Sequence, residues 1–290
     1  MVRAPRVLLA ATLTACAAGV SAQSLPTSQP NLLVIVREEV KLGRATEHER
    51  IEAGWPAAYE KAKSPDYYLA YVSMTGRSEA WYIGPYDSHK AWDESMKREN
   101  DNAVLSAELK RLQRADADVL NNVTVMHASA RKDLSMGTFP DLAKARFTEI
   151  TIFRVRPGRE SQFEAAARAY ASAAKRSAPS TSFRVYEVIA GIPGPTYLVF
   201  STVQSFAEFD QMMQQGQATM KGATQDERST LEKFGAEGLI NVETQRFRVD
   251  PVMSYVPNET RASDPAFWMP KRVAPAKPVT SAKTSATSTK

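Results

Sequence analysis

The chain has 290 residues, of which 43% are hydrophobic and 24% are charged, and its formal net charge is +5. That length suits one large domain or two of ordinary size, each with a packed core. The basic excess is concentrated after Pro257, which leaves the body of the chain near neutrality and argues against a nucleic-acid-binding face. Cys16 is the only cysteine, so the chain beyond it has no thiol for a disulfide, a nucleophile or a metal site.

Residues 1–22 have the features of a signal peptide. Two arginines precede an apolar run at 7–20, and small residues stand before Gln23, as a signal peptidase requires. The run is too short to span a bilayer, so no transmembrane segment is predicted. An alternative is a bacterial lipobox that ends at Cys16, which would then carry a lipid anchor. In either case we expect an exported protein, periplasmic or secreted.

Residues 31–130 predict the element order β-α-β-β-α-β. Runs rich in β-branched and aromatic residues predict strands at 32–36, 67–74, 80–83 and 122–128. Apolar residues at helical spacing predict one helix after Gly43, and Ser88 supplies a capping oxygen for a second helix. This order is the ferredoxin-like arrangement, an antiparallel sheet with helices on one face.

The same order recurs at 147–256, after a linker at 131–146. Gly43 and Arg44 correspond to Gly158 and Arg159, which lie 115 residues later. The same offset pairs further residues in the helix, the second strand and the hairpin: Trp55 with Tyr170, Tyr68 with Phe183, Tyr71 with Tyr186 and Gly76 with Gly191. The sequence therefore predicts two tandem copies of one unit.

Residues 257–290 differ from the rest of the chain in composition. Pro, Ala, Lys, Ser and Thr dominate this stretch, which cannot bury enough apolar surface to offset its chain entropy. We therefore predict a disordered basic tail, with an aromatic docking spot at 267–269.

A V-x-x-G-R pattern at 40–44 forms a turn between a strand and an amphipathic helix, and an aromatic strand, a glycine hairpin and a capped helix follow it. This combination resembles the dimeric α/β barrel superfamily. That superfamily includes antibiotic-biosynthesis monooxygenase-like and NIPSNAP-like domains. Its members pair two ferredoxin-like units so that their sheets close into a barrel with the helices outside. The resemblance implies an α+β fold in which the tandem repeats form an intramolecular pseudo-dimer. Association of two chains into a homodimer stays open.

Two histidines of the first copy stand where the second copy has phenylalanine. His48 corresponds to Phe163, and His89 corresponds to Phe206. A polar side chain that faces a sheet needs a partner. In one interpretation each histidine fills its position and bonds a nearby carbonyl or tyrosine. In the other, a ligand cavity specific to the first copy is bordered by His48, Trp55, Tyr59, Tyr67, Tyr71, Trp81 and His89.

The chemistry of the site is less specified than the fold. Haem-dependent branches of the superfamily use a histidine ligand, for which His89 with nearby Trp81 is the candidate, but their motif spacing is not reproduced. No cofactor is therefore expected, with haem as the alternative. Nucleotide-binding, HExxH and nucleophile-elbow motifs are absent, and no metal site is predicted. The predicted function is an exported, non-catalytic or small-apolar-ligand-binding barrel. The alternative is a cofactor-independent or haem-linked monooxygenase-like oxidoreductase acting in the first copy.

Overall fold

The computed structural model of the protein describes residues 24–270. The signal-peptide and lipobox predictions fall on residues outside that range, as does the part of the predicted tail at 271–290. Among the described residues, none of the helices has the length and apolar character needed to cross a bilayer.

Residues 31–130, called the first half below, contain four strands and four helices. The strands are β1 (Leu32–Val40), β2 (Tyr68–Ser73), β3 (Glu79–Tyr86) and β4 (Leu120–Ala130). The helices are α1 (Ala45–Glu52), α2 (Gly54–Ala62), α3 (His89–Asp101) and α4 (Ala103–Asp116). As the sequence predicts, Ser88 caps α3, since its side chain accepts a hydrogen bond from the Ala91 amide at 3.2 Å.

Residues 147–256, called the second half, also contain four strands. They are β5 (Phe147–Val155), β6 (Arg184–Ala190), β7 (Thr196–Val203) and β8 (Leu239–Tyr255). The helices are α5 (Glu160–Ser177), α6 (Glu208–Gly222) and α7 (Gln225–Lys233), and a π-helical turn, Phe234–Gly238, joins α7 to β8. Residues 131–146 connect the halves and include a short 3-10 helix, Leu142–Lys144.

The eight strands form one closed barrel in the order β1-β3-β2-β8-β5-β7-β6-β4. All of the pairings are antiparallel, and the two halves meet where β2 pairs with β8 and where β4 pairs with β6. Each strand therefore has two neighbours, which removes the exposed edges that promote aggregation. The predicted α+β class is confirmed as a closed barrel with external helices.

Successive side chains of a strand point to opposite faces of a sheet, so each strand contributes to two layers. The inner faces fill the barrel with a buried apolar cluster that includes Ile35, Met126, Ile150, Leu198 and Phe247. The outer faces pack against the helices in separate clusters, of which the largest two lie one in each half. The helices also leave a cavity against the sheet in each half.

The structure corrects the predicted start of the disordered tail. Two short helices, α8 (Asn258–Ser263) and α9 (Pro265–Trp268), follow β8. Trp268 is only 4% exposed and packs against the barrel core. Its indole Nε1 donates a hydrogen bond to the Ala143 carbonyl at 2.9 Å. This tryptophan lies in the aromatic docking spot predicted at 267–269, whereas composition could not identify the helices before it, because their residues are typical of a tail.

Candidate functional site

The first half has a cavity of about 180 Å³ between its helices and the outer face of its sheet. Three of the residues predicted to border a cavity, Trp55, Tyr59 and Tyr67, line it. Further aromatic side chains complete the walls: Tyr68, Tyr82, Tyr86 and Trp92. Glu38 and Glu52 also line the cavity. His48, which was predicted to border it, lies behind them in contact with Glu38.

The structure does not bring the other predicted residues to this cavity. Tyr71 and Trp81 are register partners on β2 and β3 and point into the barrel core. His89 is exposed at the start of α3, where its ring centroid lies 5.9 Å from that of His127. Strand alternation explains why Tyr71 and Trp81 do not reach the first-half cavity, since one face of each strand points into the barrel and the other faces the helices.

Four buried polar side chains lie together at the first-half cavity, and two of them, Glu38 and Glu52, line it. His48 Nε2 lies 2.8 Å from Glu38 Oε2. One ligand atom from each of Glu38, His48 and Glu52 lies within 4.8 Å of the others. Asp116, at the end of α4, adjoins them, and its Oδ2 accepts a hydrogen bond from Trp55 Nε1 at 3.3 Å. We call Glu38, His48, Glu52 and Asp116 the acid cluster.

The acid cluster is short of compensating positive charge. Burial raises the pKa of Glu38, although the neighbouring His48 opposes that change. Burial also raises the pKa of Asp116, and it raises the pKa of Glu52 well above its ordinary value, with the charges of Glu38 and Asp116 adding to the effect. Within residues 24–270, the only salt-bridge partner of these three carboxyls is His48. Glu52 Oε1 and Asp116 Oδ1 are buried without a hydrogen-bond partner there.

The second half has apolar residues at the positions 115 residues later. Those that correspond to Glu38, His48 and Glu52 are Phe153, Phe163 and Ala167. The rings of Phe153 and Phe163 are 5.6 Å apart and belong to a buried apolar cluster. Packing of a helix against this sheet is therefore achieved in the same chain without any acidic residue.

The second half also has the larger cavity, with a volume of about 410 Å³. Phe163 and Tyr170, which correspond to His48 and Trp55 of the first half, both line this cavity. A sequence signal exists in retrospect. Small residues stand on the cavity side of α5 and α6, namely Ala166, Ala167 and Gly216, and they leave room that larger side chains would fill.

The polar groups of the second-half cavity gather at one end. Glu149 on β5 is the register partner of Ser201 on β7 and of Arg246 on β8. Arg246 Nε donates a hydrogen bond to Glu149 Oε2 at 2.9 Å. The other end is aromatic, with Phe153 and Phe163. The first half differs at the equivalent strand positions, because Val34 stands in the place of Glu149 and Glu38 stands in the place of Phe153.

Solved structures of other proteins have the same fold. A protein from Fusobacterium nucleatum, provisionally described as a monooxygenase, is 10% identical and superposes with a TM-score of 0.51 over 76% of this chain and 93% of its own. An anthrone oxidase-like protein is 12% identical, with a TM-score of 0.52 over 77% of this chain and 92% of its own. Identities this low establish the fold alone. No family model and no curated protein matches the sequence.

Proposed function

Because the chain has the fold of the dimeric α/β barrel superfamily, we propose that it is a tandem pseudo-dimer that binds a small molecule in its second-half cavity. The observation that carries the proposal is a cavity of about 410 Å³ with aromatic walls and polar groups at one end. Small-molecule sites are typically mostly apolar concave spaces of this size with a few placed polar groups.

Several correspondences support the pseudo-dimer. β1 and β5 both end at a valine, Val40 and Val155, and each is followed by a glycine at positive φ, +78° for Gly43 and +80° for Gly158. Such a backbone favours glycine, so the same turn opens the first helix of each half. The halves also meet through two equivalent seams, β2 with β8 and β4 with β6.

The lining indicates the class of ligand. Phe153, Phe163 and Leu231 would enclose an apolar, largely flat body. Arg246 bonds Glu149 through Nε, and its guanidinium lies 4.3 Å from the centroid of the Phe209 ring, which fixes its position. Its remaining N–H groups can donate to a carboxylate or sulfonate on the ligand. We therefore propose an apolar ligand with one anionic or hydrogen-bond-accepting group.

Filling the cavity is expected to abolish this binding. The probe is 8-anilinonaphthalene-1-sulfonate, which has a flat apolar body and one anionic group. Ala167→Phe places a ring in the cavity, and we expect a loss of affinity of about tenfold or more, which corresponds to about 1.4 kcal/mol. Fluorescence titration measures the affinity, and circular dichroism checks that the variant is folded.

Ala165→Phe is the matched control, because Ala165 lies on the exposed side of the same helix. It should bind the probe as the unaltered protein does. Arg246→Gln should weaken binding of the anionic probe and leave the fold intact. Equal affinities of the Ala167→Phe and Ala165→Phe variants would show that the probe binds elsewhere and would contradict the proposed site.

A second candidate function, a cofactor-independent oxidoreductase in the first half, is supported by the Glu38–His48 pair beside an aromatic cavity. The pair could accept the proton of a phenol as O₂ oxidises the ring to a quinone, with one oxygen atom entering the product and the other leaving as water. With 1-naphthol as probe, this candidate predicts oxygen uptake that His48→Phe abolishes. Uptake equal to that of buffer would rule it out for this probe.

Export belongs to the same proposal. Cleavage before Gln23 and lipidation at Cys16 give mature proteins of different mass. Mass spectrometry of the protein isolated from its native host distinguishes them, and retention of residues 1–22 would contradict both.

A further inference from the structure

We infer that the acid cluster is a binding site for a divalent metal ion, with Glu38, His48 and Glu52 as ligands and Asp116 beside them. The inference is independent of the ligand site proposed in the other half of the barrel, and it is an alternative to the cofactor-independent reaction in the first half, because both assign roles to Glu38 and His48. No sequence motif predicted this site, because its members are brought together by β1, α1 and the end of α4.

The geometry of the cluster suits a first-row divalent ion. Ligands about 2.1 Å from such an ion at right angles lie about 3 Å apart. The 2.8 Å separation of His48 Nε2 and Glu38 Oε2 is close to that spacing. All three ligand atoms, one from each residue, lie within 4.8 Å of one another, so small side-chain rotations bring them to a common centre.

The unpartnered oxygens point to a missing positive charge. Glu52 is 3% exposed and Asp116 is 4% exposed, and each has a buried carboxyl oxygen without a partner among residues 24–270. Burying a carboxylate without a partner is unfavourable. A divalent cation would satisfy both the charge and the empty coordination positions, which His48 cannot do for three carboxyls at once.

Comparison with the second half argues against a purely structural role for the acid cluster. There, Phe153, Phe163 and Ala167 occupy the positions that correspond to Glu38, His48 and Glu52, and they pack without polar groups. The chain therefore has polar side chains in one half at positions where its other half has apolar side chains. A set of charged residues retained against such a cost is expected at a functional site.

The surroundings of the cluster also suit a bound ion. Trp55 Nε1 donates a hydrogen bond to Asp116 and orients it, as residues around metal ligands commonly do. Glu38 and Glu52 line the first-half cavity, which offers an entry path and room for a further ligand. One imidazole with two or three carboxylates favours Mn²⁺, Fe²⁺ or Zn²⁺, because imidazole suits iron and zinc and carboxylate suits manganese.

The test uses the full chain after treatment with EDTA and dialysis into metal-free buffer. Isothermal titration with MnCl₂ and with ZnCl₂ should show one ion bound per chain. Replacing a ligand in Glu52→Gln, or two in Glu38→Gln/His48→Gln, should weaken binding by about tenfold or more. Circular dichroism establishes that each variant is folded, and Ala167→Phe should retain the site, since it alters only the second half.

His89 and His127 provide the control, because this pair, of which His89 is exposed and His127 partly buried, could bind zinc adventitiously. The double variant His89→Gln/His127→Gln should keep the one ion. Loss of binding in that variant, or unchanged binding after Glu38→Gln/His48→Gln, would overturn the assignment. So would a folded protein that takes up neither ion, in which case the buried carboxyls share protons instead.

Discussion

Replacing Arg37 with methionine is expected to lower the free energy of unfolding by about 3–5 kcal/mol. Arg37 enters the barrel from β1 and binds Glu79 on β3, with Nε donating at 2.9 Å and Nη2 at 2.6 Å. Glu79 is 2% exposed, and its other bond comes from Trp81 Nε1 at 2.9 Å. Methionine preserves much of the apolar stem but leaves a buried carboxylate without its cation.

The size of the loss depends on the orphaned charge, which further variants can isolate. In Arg37→Met/Glu79→Gln the carboxylate is absent, so we expect much of the stability to return. Arg111 makes the same two-bond contact with Glu108, but on the surface, where solvent screens the pair, and Arg111→Met should cost much less stability than Arg37→Met. Urea unfolding measures all three. A loss in Arg37→Met no larger than that in Arg111→Met would refute the argument.

Replacing Trp268 with alanine is expected to lower the free energy of unfolding by about 3–5 kcal/mol. The indole packs against the barrel core and donates to the Ala143 carbonyl, so the substitution removes buried apolar area and one of the two hydrogen bonds that this carbonyl accepts, the other coming from Arg146 Nη1 at 3.2 Å. Arg146 forms a salt bridge with Asp264 and lies 3.8 Å from the centroid of the Phe267 ring. The segment that carries Trp268 is therefore held at several points.

Met269→Ala is the control for this prediction. Met269 is 54% exposed, and its loss should change the free energy of unfolding by less than about 0.5 kcal/mol. Thermal or urea unfolding compares the two variants. If Trp268→Ala were as stable as Met269→Ala, the C-terminal helices would not contribute to the barrel, and the sequence prediction of a tail from residue 257 would stand.

The order of elements could be predicted because it is encoded locally. The strand at 32–36, the glycine turn at Gly43 and the cap at Ser88 each depend on a few adjacent residues, and each is present in the structure. Alternation of side chains along strands also predicts which residues share one face of the sheet. It does not say which face meets the barrel interior, and this is why Tyr71 and Trp81 were placed with His48 although they lie in the core.

The sites could be predicted only in part: the sequence placed Trp55, Tyr59 and Tyr67 at a first-half cavity, whereas the remaining features depend on distances between elements. The acid cluster combines Glu38 and His48, which lie before and after the turn between β1 and α1, with Asp116, which lies near the end of the first half. His89 was grouped with His48 because both replace a phenylalanine, yet α3 leaves His89 at the surface. The second-half cavity exists because small residues on α5 and α6 face the sheet. The volume that they leave unfilled cannot be read from the sequence.

The sequence by itself determined the α+β class, the element order and the correspondence between the halves, because periodicity, turn glycines and an offset of 115 residues are properties of the chain alone. Only the tertiary structure decided how the strands close, where Trp268 packs, and that each half has a cavity between its helices and its sheet. The physical reason is that barrel closure and helix packing bring together residues remote in sequence. Burial, charge and free volume arise at those contacts.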